Sequence, residues 1–194
     1  MHFSDKLFNL INGLAGRSDL LDNIMIIASK TIPYILMAMV VVLYFYGVMK
    51  NNKDIRLASV NTVFKCAIGM LVSQIIGKFI YFQRPFVNNP DVNMLYEHEP
   101  NASFPSDHSL GSMSIALGLN KGIGILSKVN LFLAIYVGFT RVYVGHHYPL
   151  DVLGGFAVAF VVSFLYNKYL YDIVSSVYLY IESIFPILKK LSRV

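Results

Sequence analysis

Charge is scarce in this chain. Lysine, arginine, aspartate and glutamate together make up 14% of the 194 residues while 56% are hydrophobic, and a mean hydropathy of +0.57 excludes an ordinary soluble domain. Cysteine is almost absent. Cys66 stands alone inside an apolar run, which rules out an intrachain disulfide and a cysteine metal cluster and leaves it a packing role. A basic stripe is also missing: the net charge of +5 comes from lysines and arginines scattered between apolar segments, without the aromatic-interleaved patch of a nucleic-acid binder. No nucleic acid partner is expected. No repeat of fixed period, low-complexity tract or long linker divides the chain, so residues 1–194 read as a single membrane-embedded domain. The N-terminus lacks a cationic start followed by a small-residue cleavage site, so the first span is expected to act as its own insertion signal.

What the chain does have is apolar length. Several runs approach the roughly 20 residues that cross a bilayer core of about 30 Å, and the expected class is an all-α, polytopic integral membrane bundle. Leu7, Leu10, Ile11 and Leu14 recur at helical spacing, as in a short amphipathic helix lying at the membrane surface. Residues 24–49 form the first span, with Lys30 near one end and Pro33 bending it modestly. The loop 50–56 carries Lys50, Lys53 and Arg56 and is cytoplasmic by the positive-inside bias. Residues 57–82 form the second span.

Residues 83–105 are the longest polar stretch, with Asp91, Glu97 and Glu99 but only Arg84 as a basic residue. They belong outside. Residues 106–120 return as a short central helix surrounded by protein, where Gly111 and Gly118 share a face and permit close contact. Lys121 and Lys128 mark a second cytoplasmic loop, 129–143 climbs back out and 150–169 descends. The tail 173–188 is a sixth span or an interfacial helix, and Lys189, Lys190 and Arg193 beyond it favour the second. Five spans with interfacial helices at the termini are expected, six if the tail crosses.

This topology puts three polar clusters, residues 78–85, 103–108 and 140–151, at the same end of neighbouring helices. Ionisable groups beside so much hydrocarbon are costly unless they pair or face a polar cavity, so they define a candidate site. Pro105, Ser106 and Asp107 are helix-start residues, and the positive end of the helix they open suits a phosphate. Plain capping by Ser106 or Asp107 is the other reading. His108 in the first turn is placed to donate a proton to a leaving group. Pro149 starts the last span, so His147 lies just before it and Asp151 in its first turn, where a carboxylate fixes the tautomer of an imidazole. Arg141 projects a fork of donors suited to phosphate oxygens. Metal binding is the competing chemistry, with His147 and Asp151 as two ligands and His146 or His108 as a third; Arg84, Arg141 and Lys78 crowd the region with positive charge, which suits an anion better. No metal or other cofactor is expected.

Lys78 with Arg84-Pro85, Pro105-Ser106-Asp107-His108, and Thr140-Arg141 with His147 and Asp151 resemble the three-part signature of the type-2 phosphatidic acid phosphatase superfamily. The resemblance covers about half the chain. Phe104-Pro105-Ser106-Asp107-His108 and Gly145-His146-His147-Tyr148-Pro149 followed by Asp151-Val152-Leu153-Gly154 are most similar to undecaprenyl-pyrophosphate phosphatases of the bacitracin-resistance type. The resemblance implies metal-independent phosphohistidine chemistry on a lipid phosphate or pyrophosphate: His147 attacks phosphorus, Asp151 orients it, and His108 protonates the leaving oxygen and then activates water. Arg84, Arg141, Lys78 and Ser106 would hold the phosphate, on the outer face of a bacterial cytoplasmic membrane, in recycling of the cell-wall lipid carrier. Two departures stand out. The spacing from Lys78 to Arg84 is one residue shorter than the family's, which on a continuous helix sets the two about 120° apart, although Pro85 pushes Arg84 out of helical geometry. Thr140 stands where serine is commoner and keeps the hydroxyl.

Rival readings are the same chemistry on phosphatidylglycerol phosphate, phosphatidic acid or a lipid A type substrate, and a transporter with Arg141, His147 and Asp151 as a relay. A transporter would place polar residues deep in several spans, whereas here they cluster at one end. A vanadate-dependent haloperoxidase has a similar site but is soluble. His146, Tyr143 and Tyr148 are expected to shape the cleft or the interfacial aromatic belt, and His2 and His98 receive no role.

Overall fold

The computed structural model describes residues 3–119 and 124–184. Among them the chain is helical, without a strand: α1 (Phe3–Asn12), α2 (Asp19–Met49), α3 (Lys53–Phe79), α4 (Pro85–Asn88), α5 (Asp107–Gly118), α6 (Gly124–Tyr143), α7 (Pro149–Tyr169) and α8 (Tyr171–Ile184). Lys121, Lys189, Lys190, Arg193 and residues 185–188 of the expected tail lie outside the described residues, as does His2.

Polar end groups rather than hydrophobicity set the helix limits. α2 begins at Asp19, before the expected 24, because the Ser18 side chain accepts the Leu21 N–H and Asp19 and Asp22 occupy the positive first turn. α3 begins at Lys53, not 57, behind the Asn52 cap, whose Oδ1 accepts the Ile55 N–H at 3.1 Å. It also stops early, at Phe79 rather than 82. α6 starts at Gly124 instead of 129, and Pro149 opens α7 as its spacing predicts.

Among the described residues three helices, α2, α3 and α7, are long and apolar enough to cross a membrane, and the outward side chains of α2, Tyr34, Met37, Val41, Val42 and Phe45, are exposed as a lipid-facing surface demands. α6 is nearly as long but carries Lys128, Asn130 and Arg141. α5 has 12 residues, about 18 Å at 1.5 Å per residue, too short to span. It is instead enclosed by α2, α3, α6 and α7, and Leu110, Met113 and Ala116 join Ala134 and Ala159 in the central core.

Of the two glycines expected to admit a neighbour on α5, Gly118 does: a Cβ there would lie 2.2 Å from Thr62 Oγ1 of α3. Gly111 does not. A Cβ at Gly111 would meet nothing within 4 Å, because that face opens on a cavity of about 310 Å³ lined by Pro33, Cys66, Met70 and His108. The tight contact at the other end of α5 comes from α7, where a Gly155 Cβ would lie 2.6 Å from the Ser106 carbonyl oxygen.

α1 forms a short helix where the apolar spacing predicts one. Leu10 stays 70% exposed, and the helix docks on α6 and α7 through Phe8, which packs with Val142 and Val152, and through Asn12. The Asn12 amide donates to the carbonyls of Asn93 at 2.9 Å and Tyr143 at 2.8 Å, tying the N-terminus to the polar segment 89–106. At the far end of the bundle Arg56 is buried rather than free in a loop, with Nε 3.0 Å from Glu182 Oε1 of α8.

Candidate active site

His147 sits in the short turn between α6 and α7, a turn made possible by Gly145 at φ +84°. A side chain at Gly145 would be strained by that φ, and its Cβ would also lie 2.8 Å from the Asn93 carbonyl oxygen. The ring is buried. Its Nε2 is 3.0 Å from Arg84 Nη1, and because a guanidinium can only donate, Nε2 holds a lone pair and the ring proton resides on Nδ1. Nδ1 faces Asp151 Oδ2 at 3.5 Å and Ser103 Oγ at 3.4 Å. Asp151 Oδ2 accepts from the Ser103 hydroxyl and from the Tyr148 N–H at 2.8 Å, which anchors the carboxylate behind the ring.

Arg84 reaches this point because α3 has already ended. It precedes α4 in extended geometry, φ −71° and ψ 155°, so the helical phase relation between Lys78 and Arg84 no longer applies. Its guanidinium also donates to Asn101 Oδ1 from Nε at 3.0 Å and Nη2 at 2.7 Å and to the His146 carbonyl at 3.0 Å. Arg141, on the last turn of α6, is 1% exposed. Its Nη1 donates to Tyr96 Oη at 2.7 Å and Ser29 Oγ at 3.1 Å, while its Nε and Nη2 are buried with no hydrogen-bond partner. Buried donors without a partner are rare in native proteins.

Burial, then the positive charge of Arg84 and Arg141, holds His147 well below the ordinary imidazole range. His146 is pushed down to about 3 by burial first and Arg141 second; its Nε2 lies 2.9 Å from the Tyr96 carbonyl oxygen, to which it donates. Burial and Arg141 lower Arg84 to about 10, against Asp151 and Asp107, so it remains charged at neutral pH. A neutral imidazole whose lone pair faces Arg84, with a carboxylate behind it and two cations in front, is an arrangement able to attack and hold an anionic phosphorus centre once Arg84 turns to that centre.

The remaining expected residues divide. His108 is half-buried on the first turn of α5, where burial and then Arg141 push its imidazole down to about 3. Ser106 is the N-cap position but makes no side-chain cap bond; its Oγ accepts from Ser109 at 3.0 Å and its N–H donates to the Asp151 carbonyl at 3.0 Å. Asp107 accepts from Ser73. Lys78 is exposed and lines a polar cleft of about 550 Å³ with Gln74, Asn101 and Asp107. Thr140 directs its hydroxyl to the Val137 carbonyl at 2.7 Å. Tyr143 belongs to no belt: it is buried and donates to Asp22 Oδ1 at 2.7 Å. Ser103 lies in the polar cluster 103–108, but no pattern singles out Asn101, Tyr96 or Ser29, neutral residues in a long loop or inside a span. Among the described residues no three His, Cys, Asp or Glu side chains are grouped to hold a metal.

The fold and the site together define a multi-pass membrane protein with a buried cluster of imidazole and guanidinium groups at one end of its helices. The chain matches the PAP2 superfamily over residues 34–175 and belongs to that superfamily; it is a membrane phosphatase. It is similar to undecaprenyl-diphosphatase BcrC of Bacillus subtilis, at 30% identity over 168 residues, 84% of this chain and 82% of that one. Its fold is shared by Aquifex aeolicus LpxE, with a TM-score of 0.71 at 24% identity over 87% of this chain and 97% of that one. It is shared too by a transmembrane PAP2 type phosphatidylglycerolphosphate phosphatase from Bacillus subtilis, with a TM-score of 0.64 at 24% identity over 87% of each.

Proposed function

We propose that this phosphatase removes the terminal phosphate of undecaprenyl pyrophosphate at the outer face of the membrane, through a phosphohistidine on His147. The observation that carries the reading is the pairing of a lone pair on His147 Nε2, fixed by Arg84 at 3.0 Å, with two unpartnered donor nitrogens of Arg141, Nε and Nη2, buried in the same cluster. Nε2 attacks the terminal phosphorus and the bond from that phosphorus to the bridging oxygen breaks. His108 gives its proton to that oxygen, which leaves on the lipid monophosphate. Water then attacks phosphorus, His108 takes its proton, the N–P bond breaks and inorganic phosphate departs. Asp151 holds the Nδ1 proton and stabilises the ring as it becomes positive. Arg84, now donating to His147, turns its fork to the phosphate with Arg141, a contribution often worth a factor of about 100 to 1000 per donor.

The lipid chain has apolar room on two sides. One is the cavity beside His108; the other is a groove of about 690 Å³ past Asp151, walled by Phe82, Phe104, Leu150 and Leu153. The name of the BcrC relative favours an undecaprenyl diphosphate, and the phosphatidylglycerolphosphate phosphatase of the same fold keeps a second lipid in view. The test is phosphate release by the purified protein in detergent from a panel of lipid phosphates and pyrophosphates, with excess chelator. Undecaprenyl pyrophosphate should be the best substrate and His147→Ala should abolish turnover. Preference for phosphatidylglycerol phosphate would replace the substrate, loss of activity with chelator would sink the metal-free mechanism, and near-normal turnover by His147→Ala would remove the nucleophile.

A further inference from the structure

His98 has no part in the chemistry above, yet it stands over it. It lies on the irregular segment 89–106, half-buried, with its ring centroid 4.6 Å from His146, 6.5 Å from His147 and 6.5 Å from Phe86. Its Nδ1 is 3.0 Å from the Glu99 carbonyl oxygen; a carbonyl only accepts, so Nδ1 carries the proton and Nε2 of the neutral ring is left as a lone pair. Charged and titratable groups face it from every wall: Arg84 before α4, His108 of α5, Arg141 of α6, His146 and His147 of the turn before α7, and Glu99 of its own segment. Within the same cluster Arg141 Nε, Arg141 Nη2 and His146 Nδ1 are buried without partners. A ring separation of 6.5 Å leaves His98 within hydrogen-bond reach of the oxygens of a phosphoryl group held at His147.

We propose that His98 is a further phosphate-binding residue, closing the site from the outer segment and taking up a proton together with the anion. The proposal rests on the phosphatase reading. In the empty site burial, and then Arg84 and Arg141 against the Glu99 carbonyl, keep the ring below its ordinary range. A phosphate group, with a charge of about −1.5 to −2, seated between the two arginines reverses the local potential. Nε2 then binds a proton and donates to a phosphate oxygen. The sign follows by linkage: a group that gains a proton on binding makes affinity rise as pH falls from its pKa in the complex toward its lower pKa in the empty site.

The test compares wild type, His98→Gln and His98→Ala as full chains in detergent. Gln keeps a neutral donor and cannot become charged; Ala keeps neither. Inorganic phosphate binding is measured by calorimetry at pH 8 and pH 6, beside kcat and KM on undecaprenyl pyrophosphate. At pH 6 His98→Ala should raise KM roughly tenfold or more, the loss of one charge-assisted hydrogen bond, with kcat within about threefold. The ratio of wild-type to His98→Gln phosphate affinity should grow from pH 8 to pH 6; titration of the anion and of the other histidines cancels in that ratio. A flat ratio near one, or a fall in kcat with KM unchanged at both pH values, would overturn the proposal. A wild type that binds phosphate with the expected His98 dependence but hydrolyses no lipid phosphate would instead sink the phosphatase reading and leave this one standing.

Discussion

Ser103 opens the polar cluster 103–108 without a charge of its own, and its buried hydroxyl donates to Asp151 and stands 3.4 Å from His147 Nδ1. Asp151 therefore has two fixed donors, this hydroxyl and the Tyr148 N–H, besides the imidazole. Removing a hydrogen bond to a charged group costs about 1.5–3 kcal/mol, so if Asp151 orients His147 as proposed, Ser103→Ala should lower kcat by about 10- to 100-fold with little change in KM. Steady-state kinetics check this, and Ser103→Thr, which keeps the hydroxyl, should recover most of the loss. An unchanged kcat in Ser103→Ala would mean that the backbone donor alone holds the carboxylate.

At the scale of elements, the site depends on how closely α5 and α7 approach. The Ser106 N–H donates to the Asp151 carbonyl at 3.0 Å, and the approach is possible because Gly155, one turn after Asp151, leaves room for the Ser106 carbonyl; a Cβ there would be 2.6 Å from that oxygen. Backbone cannot swing aside as a flexible side chain can. Gly155→Ala should cost about 1–3 kcal/mol, a fall in Tm of roughly 2–4 °C for each kcal/mol in a chain of this size, with activity falling too. Gly111→Ala is the matched control, since open space surrounds that position; it should leave Tm unchanged or raise it, as Ala replaces Gly in a helix interior. Thermal unfolding in detergent reads both. Equal losses would show that helix approach is not what the two glycines differ in.

For the whole molecule, pH acts through imidazoles kept neutral by the fold. His98, His146 and His147 are all held below their ordinary range, by burial first, while in the unfolded chain each titrates near 6.5. Above about 6.5 neither state is protonated and the stability is complete. As pH falls, the unfolded chain binds protons that the folded one refuses, so stability is lost from about 6.5 downward, for His146 until its folded value of about 3. Tm measured in detergent should hold level from pH 8 to about 6.5 and drop between 6.5 and 4. A level Tm across that acid range would show that these rings accept protons in the folded state.

Composition and spacing alone determined the membrane class, the all-helical character and the residues of the motifs, because hydropathy and i to i+4 proximity are local properties: Pro149 starting α7 with Asp151 in its first turn needed no third dimension. Helix ends were less legible, since Ser18 and Asn52 outrank the hydrophobic pattern that marks the interior of α2 and α3. Tertiary structure decided what the motif residues face. Arg84 meets His147 because α3 stops at Phe79 and the chain leaves the helix. Tyr96, His98, Asn101 and Ser103 join the site because a long irregular segment is pinned through Asn93 to Asn12, 81 residues away, and no periodicity encodes that register. The close approach of α5 and α7 is likewise a relation between two backbones, and a one-dimensional pattern holds no record of which glycine will meet which carbonyl.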